Sequence, residues 1–200
     1  MQYLPIRRAL LSVTHKDGLI SLGRLLTDKG VELVSTGGTY KALEAEGLPV
    51  TPVSHVTGFP EILGGRVKTL HPHIHGGILA DKDNPEHLAT LSEMNIKPFD
   101  LICVNLYDFA SAVRDGLNLK KAVEEIDIGG PCMIRAASKN YHSVLVLPET
   151  AAYEPFMKAF TEGDGKISLD FRRAMAARAF ALTSRYDAMI SEYLDKGVEG

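Results

Sequence analysis

Two hundred residues, 45% of them hydrophobic and 24% charged, suffice for one large domain with a substantial core. A net charge of −3 excludes the basic excess that broad nucleic-acid or membrane-surface binding requires, but a few placed lysines can still hold a phosphorylated small molecule. No apolar run reaches membrane-span length, Arg7 and Arg8 interrupt any signal-peptide core, and the two cysteines (Cys103, Cys132) have neither metal nor disulfide spacing, so a cytoplasmic location is expected.

Ala9–Val13 reads as a first strand. Thr14 resembles a helix cap with Asp17 as its box partner. Leu19, Leu22, Leu25 and Leu26 recur at helical spacing between Gly18 and Lys29, and Gly30 stops that helix. Val31–Ser35 is a second strand, followed by a Thr36-Gly37-Gly38 turn and a short helix, Thr39–Glu46. Pro49–Val53 is a third strand. Ser54 to His73 reads mostly as loop, with a turn of helix near Pro60–Leu63, and Ile74–Ala80 as a strand. Asn84-Pro85 opens a helix that runs to about Met94. Leu101–Leu106 is a continuous apolar run, as in a strand buried on both faces. Leu119–Glu125 and Met133–Asn140 read as helices, Ser143–Leu147 as the last strand, and Tyr153–Thr161 and Leu169–Leu194 as closing helices. Strands alternating with helices predict an α/β fold with a mostly parallel sheet, whose ligand sits at the carboxyl ends of the strands.

The loops at those ends carry the chemistry. Ser35-Thr36-Gly37-Gly38-Thr39 joins a strand to a helix; its glycines let backbone N–H groups converge and the helix start favours an anion, although an ordinary capped turn looks the same. Lys16, beside it, favours a phosphate cradle. Gly64 to Pro72 packs Arg66, Lys68, Thr69 and His71 into a segment without periodicity, opened by glycines and closed by proline. Tyr107, after Asn105-Leu106, is either a core residue with its hydroxyl at the edge or a proton donor. Asp127 precedes Ile128-Gly129-Gly130 at a helix start, as a cap or as a reactive carboxylate. Lys139 ends the same helix, where complementing the dipole is the plain alternative. His71, His73 and His75 would share a face if extended, but Pro72 interrupts them and no acidic partner is near, so no metal is expected. Cys103 and Cys132 read as buried thiols.

In combination, RRALLSV, STGGT, TGFPEILGGRVKTLHP, NLY, IDIGGP and KN resemble the IMP cyclohydrolase domain family from about Arg7 to Leu194. A turn like STGGT also occurs in methylglyoxal synthase and in the allosteric domain of carbamoyl phosphate synthetase; GGRVKTLHP and IDIGG select the cyclohydrolase. The resemblance implies a Rossmann-like, methylglyoxal-synthase-like fold in three layers. It implies one cyclohydrolase domain over residues 1–200, without the AICAR formyltransferase half found in the bifunctional members. The implied reaction is dehydrative closure of formamido-imidazole-carboxamide ribonucleotide (FAICAR) to inosine monophosphate (IMP), the last step of purine biosynthesis, with no cofactor or metal. Lys68, Tyr107, Asp127 and Lys139 are the implied catalytic residues. Ser12, Thr14, Lys16, Ser35, Thr36, Gly38 and Thr39 would grip the phosphate end, with Arg66, Thr69, Asn105, Ile128, Gly129 and Gly130 lining the base and ribose. A homodimer is implied, and a separate AICAR formyltransferase is a conceivable partner. The chain departs from the family at Thr14-His15-Lys16-Asp17-Gly18 (commonly SDKTG), at Asp108 (commonly Pro) and at Tyr141 (commonly His).

Overall fold

The computed structural model describes residues 1–114 and 118–195. Strands β1 (Tyr3–Pro5) and β2 (Arg8–Ser12) open the chain, followed by α1 (Leu19–Asp28), β3 (Glu32–Ser35), α2 (Gly37–Ala45), β4 (Val50–Pro52) and α3 (Val53–Thr57). A 3-10 turn at Leu63–Gly65 precedes α4 (Pro72–Leu79), α5 (Pro85–Glu93) and β5 (Leu101–Val104). Then come α6 (Phe109–Arg114), α7 (Leu119–Glu124), α8 (Gly129–Lys139), β6 (Leu145–Leu147), α9 (Tyr153–Glu162), β7 (Lys166–Ser168) and α10 (Leu169–Asp195).

Five strands form one all-parallel sheet in the order β4-β3-β2-β5-β6. Helices flank it: α1 packs on α2 and α9, while α8 packs on α4 and α10. This is the α/β fold with a parallel sheet that the alternating pattern predicts, in the three layers that the resemblance implies. β2 and β5 lie at the centre, and the apolar side chains Ala9, Leu10, Leu11, Leu101, Ile102 and Cys103 are sealed from solvent, as a strand covered on both faces must be. The amino ends of these strands are tied by Asp100, whose carboxylate accepts the N–H groups of Arg7 and Arg8 at 2.8 and 2.9 Å and pairs with the Lys82 ammonium.

Several expectations change. Ile74–Ala80 is helix, not strand: His71 caps α4 by accepting the His73 N–H at 3.1 Å, and Pro72 takes its first position. Gly76 and Gly77 gave the run its ambiguous look. They serve close packing, since a Cβ on Gly77 would lie 2.8 Å from the Lys97 carbonyl oxygen. The three histidines therefore do not share an extended face. His73 Nδ1 bonds the Val56 carbonyl at 3.0 Å, and burial holds His75 below the ordinary imidazole pKa. Among the described residues, no three His, Cys, Asp or Glu side chains converge as metal ligands. Thr14 caps nothing. Helix α1 starts after Gly18 in the left-handed region (φ 74°), with no side-chain cap. The predicted Thr36-Gly37-Gly38 turn is the N-cap and first turn of α2. Val53, read as the end of the third strand, and residues 54–57, read as loop, form α3, and the strand read as Leu101–Leu106 ends at Val104. The antiparallel pair β1–β7 and helix α6 had no predicted counterpart.

Helix α10 carries the most deeply buried cation. The Arg172 side chain is fully buried, and its guanidinium donates to the carbonyls of Tyr141 (2.9 Å), His142 (3.1 Å), Ile167 (2.6 Å) and Met1 (2.7 Å). One side chain thus joins β7, α10, the turn after α8 and the first residue. No helix among the described residues is long and apolar enough to cross a membrane.

Candidate active site

A cavity of about 530 Å³ opens where the carboxyl ends of β2, β3 and β5 meet the 61–69 loop. This is the position a parallel sheet reserves for ligands. Two helices begin in its wall. Helix α2 presents Gly37, Gly38 and Thr39, whose N–H groups precede the first intrahelical bond, from Tyr40 to Thr36. Helix α8 presents Gly129 and Gly130. Both starts favour negative charge.

Two ammonium groups flank the first of these. Lys16 Nζ lies 3.8 Å from where a Cβ on Gly38 would stand, and Lys68 Nζ lies 3.8 Å from the same point on Gly37. Lys16 is exposed at the rim, bonded to the Thr14 carbonyl at 3.4 Å, and is not itself in the cavity wall. Converging N–H groups and two cations make an anion cradle. The 61–69 loop reaches it because Gly64 (φ 65°) and Gly65 (φ 94°) turn the backbone through the left-handed region.

The other end of the cavity holds Asp127. Its Oδ1 accepts the Gly130 N–H at 2.8 Å, its carboxylate also takes the Tyr107 N–H, and the Lys68 charge faces it. Burial dominates and raises its pKa above the ordinary aspartate range, against the opposing pull of those donors. The Tyr107 side chain is 40% exposed and lines the cavity. Close approach requires glycine here: a Cβ on Gly130 would stand 2.3 Å from Asp127 Oδ2 and 2.9 Å from Leu106 Cδ2. Gly130→Ala is therefore expected to displace the carboxylate and abolish whatever turnover Asp127 supports; steady-state kinetics beside a thermal melt check it.

Fourteen of the seventeen candidate site residues line this one cavity: Ser12, Thr14, Thr36, Gly38, Thr39, Arg66, Lys68, Thr69, Asn105, Tyr107, Asp127, Ile128, Gly129 and Gly130. Several work on their own loops. Asn105 Oδ1 accepts the N–H groups of Thr14 (2.6 Å) and His15 (3.2 Å), so it shapes the Lys16 loop. Thr39 Oγ1 exchanges hydrogen bonds with the Val13 backbone, both at 2.9 Å, and Ser12 and Thr36 hydroxyls meet at 2.7 Å. Arg66 is paired with Glu124 of α7, Nε to Oε2 at 3.1 Å, which bridges two walls of the cavity.

Besides Lys16 at the rim, two candidates stand outside. Ser35 is sealed under the sheet, with its hydroxyl donated to the Leu11 carbonyl at 2.7 Å. Lys139 is exposed at the far end of α8, about 15 Å along the helix from Gly129. The family resemblance places it beside Tyr107 among the catalytic residues; here it is not in the wall of this cavity. Two acidic residues the sequence reading missed, Glu61 and Glu124, also line the wall, and nothing in their local sequence marks them. Cys103 is buried and its thiol pushed up to about 12 by burial, with Tyr153 hydroxyl 3.3 Å away; Cys132 is half-buried.

Comparison with known proteins places the fold in a family. Residues 18–132 match the MGS-like domain family, and residues 137–200 match the family described as AICARFT/IMPCHase bienzyme. The bifunctional purine biosynthesis protein PurH of Rhodospirillum rubrum is 51% identical over 190 residues, which are 95% of this chain and 36% of that protein. The PurH of Mesorhizobium japonicum is 50% identical over 196 residues, 98% of this chain and 36% of that protein. The chain thus spans just over a third of the length of these relatives. A solved structure, the crystal structure of ForH, matches with a TM-score of 0.80 at 32% identity, covering 94% of this chain and 98% of that one.

Proposed function

Because this chain belongs to the MGS-like domain family and is half identical to PurH proteins, we propose that it is an IMP cyclohydrolase. On this reading it closes FAICAR to IMP. The observation that carries the reading is the joint placement of the anion cradle and Asp127 in one cavity, with Lys68 reaching both. A regulatory nucleotide module needs the cradle alone.

In the reaction the carboxamide nitrogen bonds to the formyl carbon, and the formyl oxygen departs as water. That oxygen takes two protons, one from the carboxamide and one from the formamide N–H. Amides are poor nucleophiles, so holding the two groups in contact supplies much of the acceleration. The cradle and Lys16 anchor the phosphate. Asp127 accepts a carboxamide N–H, orients it and draws off its proton. The Lys68 ammonium polarises the carboxamide end, and the Tyr107 hydroxyl stabilises charge on the formyl oxygen and protonates it. No step calls on a metal or cofactor.

The direct test is ultraviolet absorbance of the purified chain with FAICAR and no added metal. Enzyme-dependent IMP formation is expected. Saturable nucleotide binding without turnover would overturn the cyclohydrolase in favour of a regulatory module. Lys139→Ala, measured in the same assay, distinguishes two arrangements: unchanged turnover confines the chemistry to one chain's cavity, and a large loss means a second copy lends its lysine. The homodimer itself is a proposal, tested by sedimentation.

A further inference from the structure

We propose that Tyr186 of α10 is a positioning residue that fixes the backbone beneath Asp127; the proposal rests on the cyclohydrolase reading for its catalytic consequence. The Tyr186 hydroxyl accepts the Asp127 N–H at 2.9 Å and faces the Glu125 carbonyl, to which it donates at 3.4 Å. The side chain is only 6% exposed. Asp127 stands in the turn between α7 and α8. Gly130 and Tyr107 N–H groups hold its carboxylate, and the Lys68 ammonium faces it. Those contacts fix the acid group, while Tyr186 fixes the main chain that carries it. A turn held at only one of these points would swing its carboxylate.

The hydroxyl suits both roles. Burial pushes the phenol up to about 12; the Asp127 N–H it accepts opposes this, while the charges of Asp127 and Asp187 and nearby Tyr107 add to it, so it stays neutral and keeps both donor and acceptor. Seven residues on, Tyr193 meets Phe109 edge-on at 5.3 Å between ring centres, two residues after Tyr107. Helix α10 therefore backs both chain segments that meet the reacting end of the substrate. The MGS-like match ends at residue 132, and Tyr186 lies in the separately matched segment 137–200. The carboxylate and its brace come from different matched segments.

Tyr186→Phe keeps the ring and removes only the hydroxyl, leaving the Asp127 N–H and the Glu125 carbonyl without this partner. The test is a ¹³C-detected titration of the Asp127 carboxyl, assigned with Asp127→Asn, in both proteins. Kinetics on FAICAR and calorimetry with IMP accompany it. The Asp127 midpoint is expected to fall toward the ordinary range as the loosened turn admits water, with kcat down about tenfold and IMP affinity nearly unchanged. An unchanged or raised midpoint, or a loss of affinity equal to the loss of kcat, would overturn the positioning role and leave a packing tyrosine. If the Phe variant does not fold, 3-fluorotyrosine at 186 retains the hydroxyl but changes its donor strength; a displaced midpoint supports the brace and an unmoved one overturns it. A displaced midpoint in a protein whose wild type makes no IMP would defeat the cyclohydrolase reading and leave the brace standing.

Discussion

Asp127→Asn is expected to lower turnover of FAICAR by about 10²- to 10⁴-fold, the range for a lost general base or its equivalent. Asparagine matches the shape of aspartate and can still accept one of the two N–H bonds now made to Gly130 and Tyr107. It cannot carry the negative charge that faces Lys68 or take a proton from the carboxamide. IMP affinity should survive, because the anion cradle proposed to hold the phosphate lies at the other end of the cavity. The wild-type rate should fall as pH drops through the Asp127 pKa. Burial raises that pKa above 3.8, so the acid limb should lie above the ordinary aspartate value. The sign for stability runs the same way. A carboxyl whose pKa is raised on folding binds its proton more tightly when folded, so the ionised form at neutral pH weighs against the fold. Asp127→Asn removes that burden, and its melting temperature should not drop in proportion to its activity. A pH–rate profile and a thermal melt on the same two proteins check both statements. Full activity in the variant would remove Asp127 from the mechanism.

Arg172→Leu is expected to be the most destabilising single change outside the cavity. Its guanidinium is buried with four carbonyl acceptors, so backbone oxygens replace its hydration, with the Asp83 charge acting on it as well. Leucine leaves those carbonyls without this donor in a site closed to water. A loss of about 3–5 kcal/mol follows from the cost of stranding buried polar partners. For a chain of this size that lowers the melting temperature by roughly 10 °C. Arg172→Lys should fall between, since an ammonium keeps the charge but has three donors without the planar fork. Urea melts of the three proteins give the order. Leucine and wild type melting together would mean that the guanidinium does not join the first residue, β7 and the α8–β6 turn as described.

The alternation of parallel strands with helices was legible because its signals are local: β5 is a short run of buried apolar residues, and Gly30 and Gly47 end helices where the chain must turn back; the order of the strands in the sheet was not. The Ile74–Ala80 misreading shows the limit of that method. A run of seven residues containing two glycines has no decisive period, and the His71-Pro72 cap that decides it was read as part of the loop. The cradle and Asp127 were legible because their types and spacing follow from the job. The roles of Asn105, Thr39 and Ser35 were not. A hydroxyl or amide beside a cavity reads the same whether it meets a ligand or, as here, the neighbouring loop's backbone. Tyr186 and Glu124 act across 59 and 58 residues of chain, on Asp127 and Arg66, and no periodicity carries such a pairing. Lys139 marks the opposite case: a motif names the residue, and the length of α8 sets it apart from this chain's cavity wall.

The central pairing of β2 with β5 joins Ala9 to Leu101. So wide a separation has a consequence in time. On a ribosome, β2, β3 and the start of α2 are complete once residue 45 has emerged, and with them the backbone of the anion cradle. The wall that holds Asp127 is made much later, and α10 last of all. A nascent chain would hold the anchor for its substrate well before it could transform it. Nucleotide present during synthesis would then meet a half-built cavity, and the closing of the second half, a long-range contact formed slowly, would be the step that turns a binder into a catalyst.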